Sequence, residues 1–420
     1  MLSLEQIVRD PEIFRAALVR RGEDPPIDRI LELDFRRKQL IQDADADRAN
    51  RNKVSKAIGD EKRKPTPEEI AEMRETGDRI KTVEAELATV LEELNATLLP
   101  IPNTPLDDVP DGLDEESNVV VRTSDGLTET HGNAHWDVAP ALGILDIEAS
   151  ASMSGSRFYV LKSKGARLQR ALSAYMLDVL TEEHGYTEID PPLLVKPETM
   201  LGSGNLPKFK DNLYHDDETD LWLIPTAEVA LNALHQGQII DPDVLPLKYV
   251  ARTPSFRKEH TAAGRDVRGI KRVHQFEKVE MFRYVEPEES EASLEEMVEH
   301  ATSICERLDF TYRVLKLCTG DIGFQSAKTY DIEVWSPGSA EWLEVSSIST
   351  CTDFQTRRNG TRYRPEVGAS TRLPHTLNGS ALGMSRTWIA VIENGLQEDG
   401  SVIIPEVLVP YTGWDCIEAP

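Results

Sequence analysis

Residues 255–282 read SFRKEHTAAGRDVRGIKRVHQFEKVEMF, and their period is that of two β-strands flanking a basic loop. An apolar approach, Leu247 to Val250, leads into Phe256-Arg257-Lys258-Glu259, and a loop containing Gly264 and Gly269 follows. The chain leaves the loop through Val273 to Glu280. Alternation there puts Val273, Gln275, Glu277 and Val279 on one face and His274, Phe276, Lys278 and Glu280 on the other. Hairpin loops are ordinarily short, so a long one carrying Arg265, Arg268, Lys271 and Arg272 is a poor structural turn. As fixed charges on a rigid sheet it makes a good grip for a polyanion.

Outward from this stretch, further strands are expected at 221–224, 246–256, 273–286, 311–317, 328–335 and 341–348. Helices are expected at 166–184, 226–235 and 290–308, with a last one starting near Gly383. They interrupt the strands rather than alternate with them, so the fold class is α+β: an antiparallel sheet flanked by helices, not a doubly wound fold. This domain runs from His135 to the end of the chain, residues 135–420. The preceding segment, 100–134, with Pro100, Pro102, Pro105, Pro110 and an acidic run from Asp107 to Glu116, reads as a linker.

Residues 1–99 read as a helical domain. Two long helices are expected, 27–58 and 66–98. In the second, Ile70, Met73, Gly77, Ile80, Glu84, Leu87, Leu91, Leu94 and Leu98 follow steps of three and four. The first has a thinner seam: Ile30, Leu33, Arg37, Leu40, Ala44, Asp47, Arg51, Val54 and Ile58. Thr66-Pro67-Glu68-Glu69 supplies a cap, a proline at the first helical position and the glutamate of a capping box. The result is an antiparallel coiled-coil hairpin about 45 Å long. It could serve as a spacer or dimerisation coil. Near its tip, however, Arg48, Arg51, Lys53, Lys56, Lys62, Arg63 and Lys64 face only Asp60 and Glu61, a local charge of +5 that favours an RNA contact.

That patch stands against a net charge of −26 over 420 residues, which argues against generic nucleic-acid binding. No apolar run approaches a membrane span, and the N-terminus lacks a signal-peptide core. Cys305, Cys318, Cys351 and Cys416 lie far apart without metal-ligand spacing, which fits buried thiols in a reduced, cytoplasmic setting and no zinc site. A Walker loop, a dinucleotide-binding glycine fingerprint and the kinase signatures are all missing from the sequence. A nucleotide would have to be held by arginines on a sheet.

Three charged positions suit that task. Arg257 ends an apolar strand, Glu344 alternates with Trp342 and Ser346, and Arg386 follows the small-residue run Asn378 to Ser385 into an apolar helix. Guanidinium forks hold oxyanions, and a carboxylate recruits Mg²⁺. Each alone has a plain alternative as a surface ion pair, a solvated strand charge or a turn cap. Their occurrence together, in order on strand, strand and helix, favours phosphoryl chemistry.

With these residues in view, the chain resembles the class II aminoacyl-tRNA synthetases, and within them the bacterial-type seryl-tRNA synthetases. Glu188–Val195 is similar to their motif 1, Phe256–Glu259 with its loop and Val273–Glu280 to motif 2, and Asn378–Arg386 to motif 3. Met200–Phe209, Pro225-Thr226-Ala227-Glu228, Gly264-Arg265-Asp266, Lys328–Asp331 and Asp353-Phe354-Gln355 are similar to the subfamily, as is the two-helix arm. His260–Ala263 depart from the family's small loop start. The resemblance implies activation of L-serine with ATP, then transfer to tRNA(Ser) and also tRNA(Sec), by a homodimer joined through the motif 1 region. It implies ATP contacts from Arg257, Lys258, Glu259, Val273, Phe276, Glu344, Val345, Ser346, Ser347 and Arg386, with Mg²⁺ on Glu344 and Ser347. Serine would meet Thr226, Ala227, Glu228, Arg257, Glu280 and Ser380. Arg48, Arg51, Lys53, Lys56, Arg265 and Arg268 would contact tRNA, and Arg257, Glu344 and Arg386 would carry the catalysis. Two other readings remain open: a paralogue that loads a carrier protein, which the arm disfavours, and a non-catalytic RNA-binding relative, which the three charged residues disfavour.

Overall fold

The computed structural model describes residues 1–126, 128–259 and 268–419. Arg265, with the rest of the loop start from His260 through Asp266, therefore lies outside the described residues. The chain divides into two units. One comprises Leu2–Val19 with Glu23–Ile101, the other Met1, Arg20–Gly22 and the chain from Pro102 onward.

The first unit is built on two long helices, α1 (Ile27–Asp60) and α2 (Pro67–Leu98). Thr66 and Glu69 close the expected capping box reciprocally, side chain to backbone in both directions. The apolar seam of α2 differs from the expected one. Ile80 and Leu94 are buried as expected, but Thr76 and Val90 are inside where Gly77 and Leu91 were expected, and Leu91 is exposed. The observed register puts Val83, half-buried, and Val90, buried, where Glu84 and Leu91 were expected, which spares a glutamate from the seam. It leaves Glu84 on the flank, 2.7 Å from Arg48 across the pair. On α1 burial ends at Ala44, where Asp47 pairs with Arg79 at 3.2 Å.

The second unit is organised by an eight-stranded sheet. Its strands in chain order are β1 (Val119–Thr123), β2 (Thr187–Glu188), β3 (Leu247–Phe256), β4 (Gln275–Val285), β5 (Tyr312–Lys316), β6 (Lys328–Ser336), β7 (Glu341–Thr352) and β8 (His375–Gly383). In space they run β1-β5-β6-β7-β8-β4-β3-β2. Every pairing is antiparallel except the short parallel edge of β2 on β3. The expected antiparallel α+β architecture is borne out, with three additions to the sheet, while the strand expected at 221–224 forms as Leu221–Leu223 in a separate three-stranded sheet. β1 forms within the proline-rich stretch read as a connection, and β8 forms within the small-residue run before Arg386. The short edge strand β2 falls at the start of the stretch Glu188–Val195 and just before it.

β8 escapes a propensity reading because His375-Thr-Leu-Asn-Gly-Ser-Ala-Leu-Gly383 has little β-branched or aromatic content. Its position explains the composition. It lies between β7 and β4, and a Cβ on Gly379 would stand 2.8 Å from Ile348 Cγ1. Small residues let the backbone approach there. Helices α3 (Ser163–Asp178), α4 (Ser290–Arg307) and α5 (Met384–Asn394) cover the sheet. Leu168, Leu172 and Met176 of α3, Met297 and Ile304 of α4, and Trp388 and Ile389 of α5 are fully buried in one core with Val279, Met281, Ile332 and Ile348. This packing fixes the central strands, whose other side carries the site.

Candidate active site

β4 and β8 pair along their length, so that Glu280 lies opposite Ser380 and Phe282 opposite Asn378. β3 flanks β4 on the other side, pairing Gln275 with Phe256 at the mouth of the basic loop. A cleft of about 490 Å³ opens over these strands. Of the residues singled out in the sequence, Thr226, Glu228, Arg257, Glu259, Val273, Phe276, Glu280, Glu344, Val345, Ser347, Ser380 and Arg386 line it. Ala227, Lys258 and Ser346 do not. Ala227 is buried against Phe282 and Tyr284, Lys258 Nζ lies 5.7 Å from the Tyr214 ring, and the Ser346 hydroxyl donates to the Ser380 carbonyl at 2.5 Å.

The cations are held in place by the backbone. Arg257 N–H donates to His274 O at 2.9 Å, and its Nε donates to Pro225 O at 3.2 Å. Its guanidinium sits 5.2 Å from the Phe276 ring centre, so arginine and aromatic face form one wall. Arg386 donates to Glu344 O at 2.6 Å and to Lys271 O at 3.3 Å, and pairs with the Glu344 carboxylate at 3.2 Å. Glu259 turns the chain into the loop from the left-handed region, at φ +43°. Lys271, Arg272 and Lys278 also line the cleft.

Acidic and amide groups gather at the end of the cleft below Thr226. Glu228 is buried, and Gln355 donates to its Oε1 at 2.6 Å while Asn378 donates to its Oε2 at 3.2 Å. Burial, seconded by the Glu280 charge, pushes the Glu228 carboxyl up to about 7. Glu280 is fully buried and pairs with Lys278 at 2.6 Å; among the described residues its oxygens have no other partner. Two carboxylates beside amide donors and the Ser380 hydroxyl match a small zwitterion: acids for an ammonium group, amides and hydroxyls for what it carries.

A third carboxylate was not assigned a role from the sequence. Asp331 pairs in register with Ser347 across β6 and β7, and its Oδ1, shielded from solvent, has no hydrogen-bond partner among the described residues. Burial and then the nearby Glu344 charge push its carboxyl well up, against a bond from Ser347. Such crowding of hard oxygen donors fits a divalent cation. Among the described residues no three His, Cys, Asp or Glu side chains form a ligand cluster, which suits an ion shared with substrate phosphates rather than caged by protein. Gln355, Asn378 and Lys278 were likewise quoted within motifs without a role, and Gln325, which stands outside those motifs, also donates to Glu228 Oε1 at 3.4 Å. Lone amides carry no periodic signal, and only the fold brings 325, 355 and 378 to one carboxylate.

The family described as the tRNA synthetase class II core domain (G, H, P, S and T) matches residues 208–395, and the seryl-tRNA synthetase N-terminal domain matches residues 1–105. A serine--tRNA ligase from Thermomicrobium roseum is 52% identical over 416 residues, spanning 98% of this chain and 94% of the relative.

The chain belongs to the seryl-tRNA synthetase family.

A serine--tRNA ligase from Dehalococcoides mccartyi is 50% identical over 419 residues, 99% of this chain and 100% of the relative. Among solved structures, a seryl-tRNA synthetase from Pyrococcus horikoshii complexed with ATP superposes with a TM-score of 0.94 at 37% identity over 100% of both chains. A cytoplasmic serine-tRNA ligase from Naegleria fowleri in complex with AMP gives 0.87 at 31%, over 98% of this chain and 96% of that one. The class II synthetase architecture with its N-terminal helical pair is thus that of other seryl-tRNA synthetases. The expected ligase class is borne out with it.

Proposed function

We propose that the chain activates L-serine with ATP to seryl-adenylate and transfers the seryl group to the 3′ end of tRNA(Ser), and of tRNA(Sec) as well. The observation that carries this reading is one cleft holding Arg257 and Arg386 beside the Glu228–Glu280 floor. It offers a place for a polyphosphate next to a place for an amino acid. Arg257 receives the α-phosphate and stabilises its charge as a serine carboxylate oxygen attacks phosphorus and pyrophosphate leaves. Phe276 gives the adenine a stacking face, Glu259 and the Val273 backbone meet its edge, and Arg386 holds the γ-phosphate. Glu228 and Glu280 hold the ammonium and hydroxyl of serine, with Thr226 and Ser380 alongside. Alanine would leave those buried groups unpaired, which is the basis for rejecting it.

Glu344 and Ser347, with Asp331 behind them, would hold Mg²⁺, which when bound neutralises charge on the phosphates. In the second step the ribose hydroxyl of the terminal nucleotide attacks the mixed anhydride carbonyl, and AMP departs. The basic end of α1, where Arg51, Lys53 and Lys56 are exposed, suits the tRNA backbone; Arg48 is engaged with Asp45 and Glu84. Arg268 suits the acceptor end of the tRNA; Arg265, given the same role from the sequence, lies outside the described residues. In this reading residues 1–99 are the tRNA-binding domain, residues 135–420 the catalytic one, and the motif 1 region, Glu188–Val195, joins two copies into a homodimer working in the cytoplasm. No helix among the described residues is long and apolar enough to cross a membrane.

Amino-acid-dependent exchange of pyrophosphate into ATP, run with each amino acid in turn, tests the first step. Serine is the one expected to support exchange, and silence with serine would overturn the reading.

A further inference from the structure

Behind the cleft wall lies a buried polar pair to which nothing above assigns a role. Glu393, on α5 beyond Arg386, and His135, which opens the short helix His135–Ala141, are both fully buried. Glu393 Oε1 accepts the His135 backbone N–H at 2.9 Å and faces its Nδ1 at 3.0 Å. Glu393 Oε2 accepts the Gly338 and Ser339 N–H groups at 3.0 and 3.1 Å, and the Ser336 hydroxyl. Burial pushes the Glu393 carboxyl up, and the bonds from His135 and Ser336 outweigh it, so that the group is held below its ordinary range. A carboxylate can only accept, so Nδ1 carries the hydrogen and Nε2 keeps its lone pair.

That lone pair meets the exit of the motif 2 loop. Ile270 N–H donates to His135 Nε2 at 3.2 Å. Gly269, at φ +66°, lets the loop come so close: a Cβ there would stand 2.0 Å from Nε2. The following residue, Lys271, gives its carbonyl to Arg386 Nε at 3.3 Å and its ammonium to Glu341 at 2.6 Å. Next to His135, the Trp136 ring lies 5.2 Å from the Arg268 guanidinium and 5.4 Å from Lys271 Nζ. The limb from Arg268 to Lys271 is therefore held on its inner side by His135 and along its cations by Trp136.

We propose that His135 is a positioning residue for ATP: through the Ile270 N–H it sets the exit limb of the motif 2 loop, and through the Lys271 carbonyl the guanidinium of Arg386. It touches no substrate. The inference rests on the assignment of Arg386 to the nucleotide given above.

Two substitutions in the full-length chain separate positioning from core packing. His135→Asn keeps an amide donor near Nδ1 for Glu393 but falls short of Ile270. His135→Gln loses the Nδ1 contact and places an amide oxygen where Nε2 stood. Serine-dependent exchange is measured across ATP and serine concentrations, with Tm for each variant. His135→Asn should raise KM for ATP roughly five- to tenfold, the loss of one hydrogen bond, while KM for serine stays within about twofold. His135→Gln should bring KM for ATP back to within about twofold of the parent, although both variants lose Tm. An unchanged KM for ATP in His135→Asn, with exchange intact in the parent chain, overturns this inference alone. Equal KM shifts in both variants also overturn it, since they mark packing. Absent serine-dependent exchange in the parent chain overturns the function on which the inference rests, and the inference with it.

Discussion

On the proposed assignment, serine's ammonium gains from Glu228 only while that carboxyl is ionised, and burial with the Glu280 charge holds its pKa up to about 7 in the free site. Below that pH the free chain carries the proton, and binding serine requires its release. KM for serine should therefore climb by about tenfold per unit as pH falls below 7, with KM for ATP level; steady-state exchange between pH 5.5 and 8.5 reads this directly. A flat serine profile would remove Glu228 from the ammonium. Glu228→Gln should raise KM for serine roughly 10- to 100-fold and abolish the pH dependence, because it deletes one charge-assisted contact while keeping the shape. Asp331, shielded and with Oδ1 unpartnered among the described residues, gives a separate prediction. Asp331→Asn should weaken Mg²⁺ binding about 10- to 100-fold. Titrating Mg²⁺ in the exchange assay and Mn²⁺ by electron paramagnetic resonance checks it, and unchanged half-saturation in both would exclude the aspartate. None of this was legible from residue types alone. Glu228 and Asp331 each sit in a recognisable motif, but their ionisation is set by burial and by neighbours that only the fold supplies.

At the scale of elements, alternation located β3 and β4 to within two residues, because each has one face on the core and one on the cleft. The same rule failed for β8, where close approach to β7 selects small residues rather than the branched ones that mark a strand. Gly379→Ala should cost about 1–3 kcal/mol by pressing a methyl onto Ile348, a side chain buried in the core and stiff at χ1. Chemical denaturation measures this, and a neutral result would mean that β7 gives way. In α2 the existence, ends and cap of the helix were legible, and its buried face was not fully so. A repeat of three and four with both Gly77–Glu84–Leu91 and Thr76–Val83–Val90 available is settled only by the partner helix. Removing residues 30–97 and closing the gap with a short flexible link should spare serine-dependent exchange and abolish tRNA charging. Unchanged charging by this truncation would reduce the helical pair to a structural part.

For the molecule as a whole, the sequence carried the class of chemistry through what it lacks as much as what it has. With no phosphate-cradling glycine loop, arginines spread over some 130 residues of chain had to meet on one sheet, and Arg257, Glu344 and Arg386 do line one cleft. The net charge of −26 was the misleading feature, since it speaks against RNA while the exposed cations of α1 are clustered locally. What stayed hidden at this scale is connectivity: His135 and Glu393, far apart in the chain, meet behind the loop that bears the cleft's cations. The central claim is that these parts serve one ligation. The most direct measurement is charging of total bacterial tRNA by the purified chain with ATP, Mg²⁺ and each radiolabelled amino acid in turn. Serine alone should become attached to tRNA, and Arg257→Ala should abolish the attachment; no attachment, attachment of a different amino acid, or serine captured by a protein acceptor instead of tRNA would contradict the account.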